Sequence, residues 1–240
     1  MNGDDPVLNQ GIAWRWPEAW WTLTQAKETQ APALKFEPKT IIQNDWVTIE
    51  GQKIVDINRL KMQGNHNLQN MLLAVSAAYI AGVDPDAIAE GVTNFPGVAH
   101  RLEHVGAVKG VELINDSKAT NYDAAFTGLA AVKGPAILIA GGAPKKGDDS
   151  QWIETIKNKA VSVLLIGDAA EHFASRFKAH GYEQYEIVET MDKAVDRALD
   201  LSESLNPRSI LLSPACASFD QYANFEKRGE HFKALCQNHL

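Results

Sequence analysis

Cysteine is scarce. Only Cys216 and Cys236 occur in 240 residues, too few for a disulfide framework and with no CxxC spacing for a metal. Long apolar runs are lacking too. The most apolar stretch, Met71 to Val83, is short and interrupted, so no bilayer-spanning segment is expected. The start, Met1-Asn2-Gly3-Asp4-Asp5-Pro6, has no basic-then-apolar leader pattern. Positive charge is in deficit: 23 Lys and Arg stand against 30 Asp and Glu, for a net charge of -7. Such a balance gives no general attraction to nucleic acid or to an anionic membrane. Together these shortages lead us to expect a cytoplasmic chain with neither nucleic acid nor membrane as partner. Two nucleotide-binding signatures are missing as well. Neither GxxxxGK[ST] nor a strand-following GxGxxG occurs, which weighs against a complete phosphate-binding loop and against a dinucleotide-dependent oxidoreductase.

What is present is ordinary globular material, 45% hydrophobic and 22% charged, long enough for one and a half to two domains. Residues 1 to about 60 read as β-rich. Trp46-Val47-Thr48-Ile49, a turn at Glu50-Gly51-Gln52, and Lys53 to Ile57 make a β-hairpin. The tryptophans at 14, 16, 20 and 21 have only Arg15 as a basic neighbour, so packing is preferred over base stacking. From 66 to 82 the spacing turns helical, with Met71, Leu72, Val75, Ala78 and Tyr79 on one face. A second helix is expected from Pro85 to Gly91. Phe95-Pro96-Gly97 breaks the pattern and marks a domain boundary. Beyond it, strands at 111–114, 136–140, 161–166, 185–188 and 209–212 alternate with helices near 151–160, 169–180 and 191–202. The expected fold class is α/β, a mostly parallel Rossmann-like sheet flanked by helices.

In such sheets ligands bind beyond the carboxyl ends of the strands, which selects four loops. The first, Asn115 to Asn121, concentrates polar groups before a helix N-terminus. Asp116 can accept from a ribose hydroxyl, Lys118 can neutralise a phosphate or carboxylate, and Thr120 can donate to the same group. The same residue types also cap helices, though a lysine is not needed for that. The second, Gly141 to Asp149, lets backbone approach a ligand and carries Lys145 and Lys146; a solvated turn would look similar. Gly167-Asp168 is the third. The last, Ser213 to Asp220, is built of small residues, and Cys216 within it reads as packing rather than as a nucleophile. Upstream, Asn67 and Asn70 stand three apart on the first turns of a helix, where their amides can read an adenine edge or serve as caps. His66 reads as a structural histidine. Arg101, beside the breaker, can clamp a phosphate or pair across an interface.

GNHNLQN (64–70), FPGVAHRLE (95–103), INDSKATN (114–121), the Gly141–Gly142–Lys145–Asp148 loop and LLSPACASFDQYANFEKRG (211–229) together resemble the Mur ligases of peptidoglycan synthesis. The resemblance covers nearly the whole chain, and the DSKATN and SPACASFDQ strings point to the branch that adds D-glutamate. Asn2-Gly3-Asp4-Asp5 resembles a short turn in the family's central domain. The resemblance implies that 1–97 is the C-terminal portion of the central ATP-binding domain and that 98–240 is the C-terminal Rossmann-like domain. It implies ATP and Mg²⁺ as cofactors, with UDP-N-acetylmuramoyl-L-alanine and D-glutamate as substrates, joined through an acyl phosphate. A monomer is expected.

By the same resemblance Asn67 and Asn70 would contact the adenine side of ATP. Arg101 would reach its phosphates and Asp116 would hold its ribose. Lys118 and Thr120 would lie at the reacting groups. Lys145, with Lys146 as rival, would bind a D-glutamate carboxylate, and Ser218, Phe219 and Phe225 would complete that pocket. The family's phosphate loop, modified lysine and metal ligands are expected upstream of Asn2, so this chain alone is expected to be inactive. Two other readings stand beside this one. A sibling Mur-type or folylpolyglutamate-type ligase would add another amino acid, and a diamino-acid ligase would want an arginine motif in the second loop. A non-catalytic D-glutamate- or nucleotide-binding module is the other.

Overall fold

The computed structural model describes residues 1–16, 18–24, 36–61 and 64–240, with the side chains at 10, 12, 14, 65 and 66 outside that description. The readings of Trp14 and of the His66 side chain therefore fall outside the described residues. The chain forms two compact units, Met1–Gly97 and Val98–Leu240. Among the described residues no helix is long and apolar enough to cross a membrane.

The first unit carries a four-stranded sheet of β1 (Trp21–Leu23), β2 (Pro38–Gln43), β3 (Trp46–Ile49) and β4 (Gln52–Asp56), in that order. β1 and β2 are parallel and the other pairs antiparallel. Both hairpins turn on two residues, Asn44-Asp45 and Glu50-Gly51, all with positive φ. That backbone matches the right-handed twist of the flanking strands. Two helices, α1 (Asn65–Ile80) and α2 (Pro85–Asn94), supply the other half of the core. Met71, Leu72, Val75 and Ile88 pack with Val47, Ile49 and Val55, as the helical spacing of α1 requires. Asp84 caps α2 by accepting from the N–H groups of Asp86 and Ala87. The helix runs to Asn94 rather than Gly91, because the first obstacle is Phe95, whose position before Pro96 disfavours helix. Trp21 is fully buried and stacked on Phe36 at 4.2 Å, and the Trp20 indole donates to Thr40 Oγ1 at 2.8 Å. Trp16 is half exposed, and its carbonyl accepts from the Trp21 indole at 3.1 Å.

The second unit is a six-stranded sheet of β5 (Glu103–Val108), β6 (Val111–Asn115), β7 (Ala136–Gly141), β8 (Ala160–Ile166), β9 (Tyr185–Glu189) and β10 (Ser209–Leu212). Its order is β5-β6-β10-β7-β8-β9, parallel except for the β5–β6 hairpin. Its helices are α3 (Tyr122–Ala131), α4 (Ser150–Lys159), α5 (Ala170–Ala179), α6 (Met191–Leu205) and α7 (Phe225–Gln237). Alternate residues along each strand serve opposite layers. Leu138 and Ala140 of β7 and Val163 and Leu165 of β8 pack with α3, α4 and α5. Ile137, Ile139, Leu164 and Ile166 pack with α6 and α7. Burial on both faces is why these strands read as unbroken apolar runs. The apolar runs do not announce β5, an antiparallel edge strand with only part of each side chain covered. They do not announce α7 either, because its buried stripe of Arg228, Phe232 and Cys236 opens on a charged residue.

Phe173 of α5 is wholly buried against Trp152 at 5.0 Å, with Tyr122 and Phe177 around it. Phe173→Ala is expected to cost about 3–5 kcal/mol, read as a lower denaturant midpoint for the second unit.

Candidate functional site

β10 lies between β6 and β7, so the chain leaves β6, passes through α3 and re-enters one strand further on. The loops after β6, β7 and β10 therefore converge at one end of the sheet, the place where an open parallel sheet offers a crevice. Arg228, on the first turn of α7, ties two of them together. It is 1% exposed. Its Nε donates to Ser117 Oγ at 3.0 Å and its Nη2 to Ser117 O at 2.9 Å, both in the loop after β6. Toward the loop after β10, Nη2 donates to Cys216 O at 3.0 Å and Nη1 to Ala217 O at 3.2 Å. All four acceptors are neutral. Burial lowers the guanidinium pKa to about 10, which leaves it charged at neutral pH. The Ser117 hydroxyl donates in turn to Phe225 O at 2.8 Å.

The loop after β7 reaches the same junction through glycine. Gly142 has φ 130°, and a Cβ there would stand 2.3 Å from Ala217 O and 3.0 Å from Arg228 Nη1. No other residue fits. The Ala143 N–H then donates to Ala217 O at 2.9 Å, closing an isolated antiparallel bridge between the two loops.

A fourth segment enters from the side. The turn Val98 to Leu102 carries His100 and Leu102 at φ 63° and 44°. Carboxylates hold it: His100 N–H donates to Glu103 Oε2 at 2.9 Å and Leu102 N–H to Asp116 Oδ1 at 3.2 Å. Lys118 N–H donates to His100 O at 3.0 Å, so turn and loop share one frame. Asp116 is 4% exposed, and its Oδ2 accepts from Ser213 Oγ at 2.9 Å. A Cβ on Gly128 of α3 would come within 2.2 Å of that oxygen, so the helix covers the carboxylate. Burial raises the Asp116 pKa to about 7, although Ser213, Leu102 and the charge of Arg101 all pull it down.

The residues singled out in the sequence fall as follows. Lys118 is exposed, its Nζ 5.3 Å from the centre of the half-buried Phe225 ring. Thr120 is half buried two residues on, and Asn121 is the residue of this loop that caps α3, accepting from Ala124 N–H at 2.8 Å. Lys145 and Lys146 are both exposed. Ser218 is 1% exposed, and its hydroxyl has no hydrogen-bond partner among the described residues. Phe219 beside it is 74% exposed. Arg101 is half buried. Asn67 and Asn70 belong to the first unit, on α1, whose N-cap is Gly64; neither asparagine is the cap. Cys216 is buried and its pKa is raised to about 12 by burial, the state of a packed thiol. Sequence reasoning missed Arg228. The signal was its spacing of four from Phe232 and eight from Cys236, which places it on the buried stripe.

A mostly parallel sheet covered on both faces, with its polar loops gathered at one switch point, is the arrangement in which open α/β sheets bind ligands. Residues 100–216 match the model of the Mur ligase glutamate ligase domain. The chain is 53% identical over 239 residues to the UDP-N-acetylmuramoylalanine–D-glutamate ligase of Crocosphaera subtropica, covering 99% of this chain and 52% of that protein. It is 54% identical over 236 residues to the like-named ligase of a Synechocystis strain, covering 98% of this chain and 52% of that protein. Among solved structures, a pseudomurein peptide ligase type C from Methanothermus fervidus shares the fold, with a TM-score of 0.62 at 17% identity, covering 99% of this chain and 56% of that one. The chain thus resembles the Mur ligases. It spans about half the length of the curated relatives it matches.

Because the folded chain holds the Asp116 proton more tightly than the unfolded chain does, this group contributes less stability as pH rises from about 4 to about 7. Glu103 and Asp149, whose pKa values are lowered, act in the opposite sense, losing their contribution only as pH falls below the ordinary carboxylate range. Asp116→Asn is expected to raise stability at pH 8 by about 1–3 kcal/mol. Thermal melts at pH 5 and pH 8 check this: the variant should lose much of the wild-type difference between them.

Proposed function

We propose that this chain is the amino-acid-adding half of an ATP-dependent ligase that joins D-glutamate to UDP-N-acetylmuramoyl-L-alanine. The observation that carries the reading is identity above 50% along the whole chain to ligases of that name. In this reading 1–97 is part of the central ATP-binding domain and 98–240 the C-terminal domain of such an enzyme.

ATP would supply the phosphoryl group that turns the muramoyl-peptide carboxylate into a good acyl donor. The fit of this chain to ATP rests on two amides one helical turn apart, Asn67 and Asn70, able to read an adenine edge, and on Arg101, a planar donor suited to phosphate. Asp116 would take the ribose with the lone pairs that Leu102 and Ser213 leave free. Lys118 and Thr120 would stand at the reacting carboxyl, where a fixed ammonium stabilises developing negative charge. Lys145 would pair with a D-glutamate carboxylate, Lys146 being its neighbour and rival. The Ser218 hydroxyl, buried with no partner among the described residues, supports a polar ligand at the loop after β10, since a buried donor is costly to leave unmet. Phe225 and Phe219 would flank the same ligand. Among the described residues no group of three His, Cys, Asp or Glu side chains can hold a metal ion, so no step is assigned to Mg²⁺ here.

Phosphate release from ATP and UDP-N-acetylmuramoyl-L-alanine, with and without D-glutamate, tests this reading. It should be measured on this chain and on a protein carrying it at the full length of its relatives. D-glutamate-dependent release by the longer protein and none by the chain is expected. Release with a different amino acid only would move the assignment to a sibling ligase, and D-glutamate binding without turnover in either protein would favour a binding module.

A further inference from the structure

The loop between β7 and α4 starts on two glycines, at φ 126° and 130°, a backbone with little stiffness of its own. It is fastened at three places. Its start is bridged to Ala217, as described above. Its middle is held by Tyr122, whose hydroxyl donates to Lys145 O at 3.3 Å and whose ring lies 3.0 Å from where a Cβ on Gly147 would be. Its end is held by Arg176 of α5, which grips Asp149 with two bonds, Nε to Oδ2 at 2.8 Å and Nη2 to Oδ1 at 2.6 Å.

The third fastening is unusual for its position. Asp149 is the N-cap residue of α4, yet its side chain makes no cap bond. An aspartate there ordinarily accepts from the helix's own N–H groups. Here the carboxylate, 5% exposed, is turned to the guanidinium instead. A two-bond fork fixes direction as well as distance. At and beside the Tyr122 fastening the loop leaves Lys145 and Lys146 exposed.

We propose that Arg176 and Tyr122 are positioning residues for the amino-acid substrate: they hold the 143–149 segment so that the Lys145 ammonium is presented to the substrate carboxylate from a fixed backbone. The inference rests on the reading that Lys145 binds D-glutamate. A lysine on a free glycine-started loop would have to be ordered on binding, which weakens affinity; a loop fastened in advance avoids that loss.

The test is a D-glutamate titration of this chain followed by backbone amide NMR, for wild type, Arg176→Met, Arg176→Lys and Tyr122→Phe, with a thermal melt of each. Wild type is expected to show D-glutamate-dependent shifts within 143–149. Arg176→Met is expected to raise the titration midpoint about tenfold, and Arg176→Lys, which keeps the charge but not the fork, less. Tyr122→Phe keeps the ring and the core, so a raised midpoint without a lowered melt separates positioning from folding. Wild-type midpoints in both Arg176→Met and Tyr122→Phe would overturn the proposal, as would a lowered melt with an unchanged midpoint. Absence of any shift in wild type would overturn the D-glutamate reading itself, and this inference with it.

Discussion

The arrangement of the second unit's ligand end depends on one buried cation. Among the described residues Arg228 has no carboxylate as a hydrogen-bond partner; it is held by three backbone carbonyls and a hydroxyl from two loops far apart in sequence. A guanidinium is suited to this because its donors point outward in a plane and can meet several acceptors at once. Its burial is costly, as its depressed pKa reports. Neither loop can move without breaking bonds to it, and an unmade bond to a buried charge is expensive.

Around that centre the other parts are matched by exclusion of volume. Gly142 and Gly128 leave room for a carbonyl and a carboxylate where any side chain would collide. Asp116 is thereby overlain by α3 at one oxygen while the other holds the Arg101 turn. Its raised pKa and that of Arg228, lowered, are two results of the same dry junction. What remains at the surface is the set of long side chains the family reading needs, Lys118, Lys145 and Lys146, each exposed on a backbone fixed from below.

Much of the fold was legible. Unbroken apolar runs such as Ile137 to Ala140 and Val163 to Ile166 are read directly, since a strand covered on both faces needs no polar alternation. The hairpin at Trp46 to Asp56 was legible from its turn and alternation. β5 was not, because an edge strand in a hairpin is held by its neighbour's backbone more than by its own side chains. α7 was not, because a charged residue opens its buried stripe. Of the candidate site, the loops were legible from their place after strands; Lys118 and Lys145 were singled out by residue type, and Ser218 by the family resemblance. Arg228, Arg176 and Tyr122 were not, since each acts on residues remote in the chain.

The sequence by itself determined the α/β class, the loops that follow the strands and the resemblance to the Mur ligases, because periodicity and motif strings are local properties of the chain. Tertiary structure alone decided which polar residues stay at the surface and which are consumed in holding it. Asp116, Ser117 and Asp149 look like capping residues in sequence, and all three are turned to partners on other elements. A side chain's partner is set by what packing brings within hydrogen-bond reach, and that distance is not written in sequence spacing.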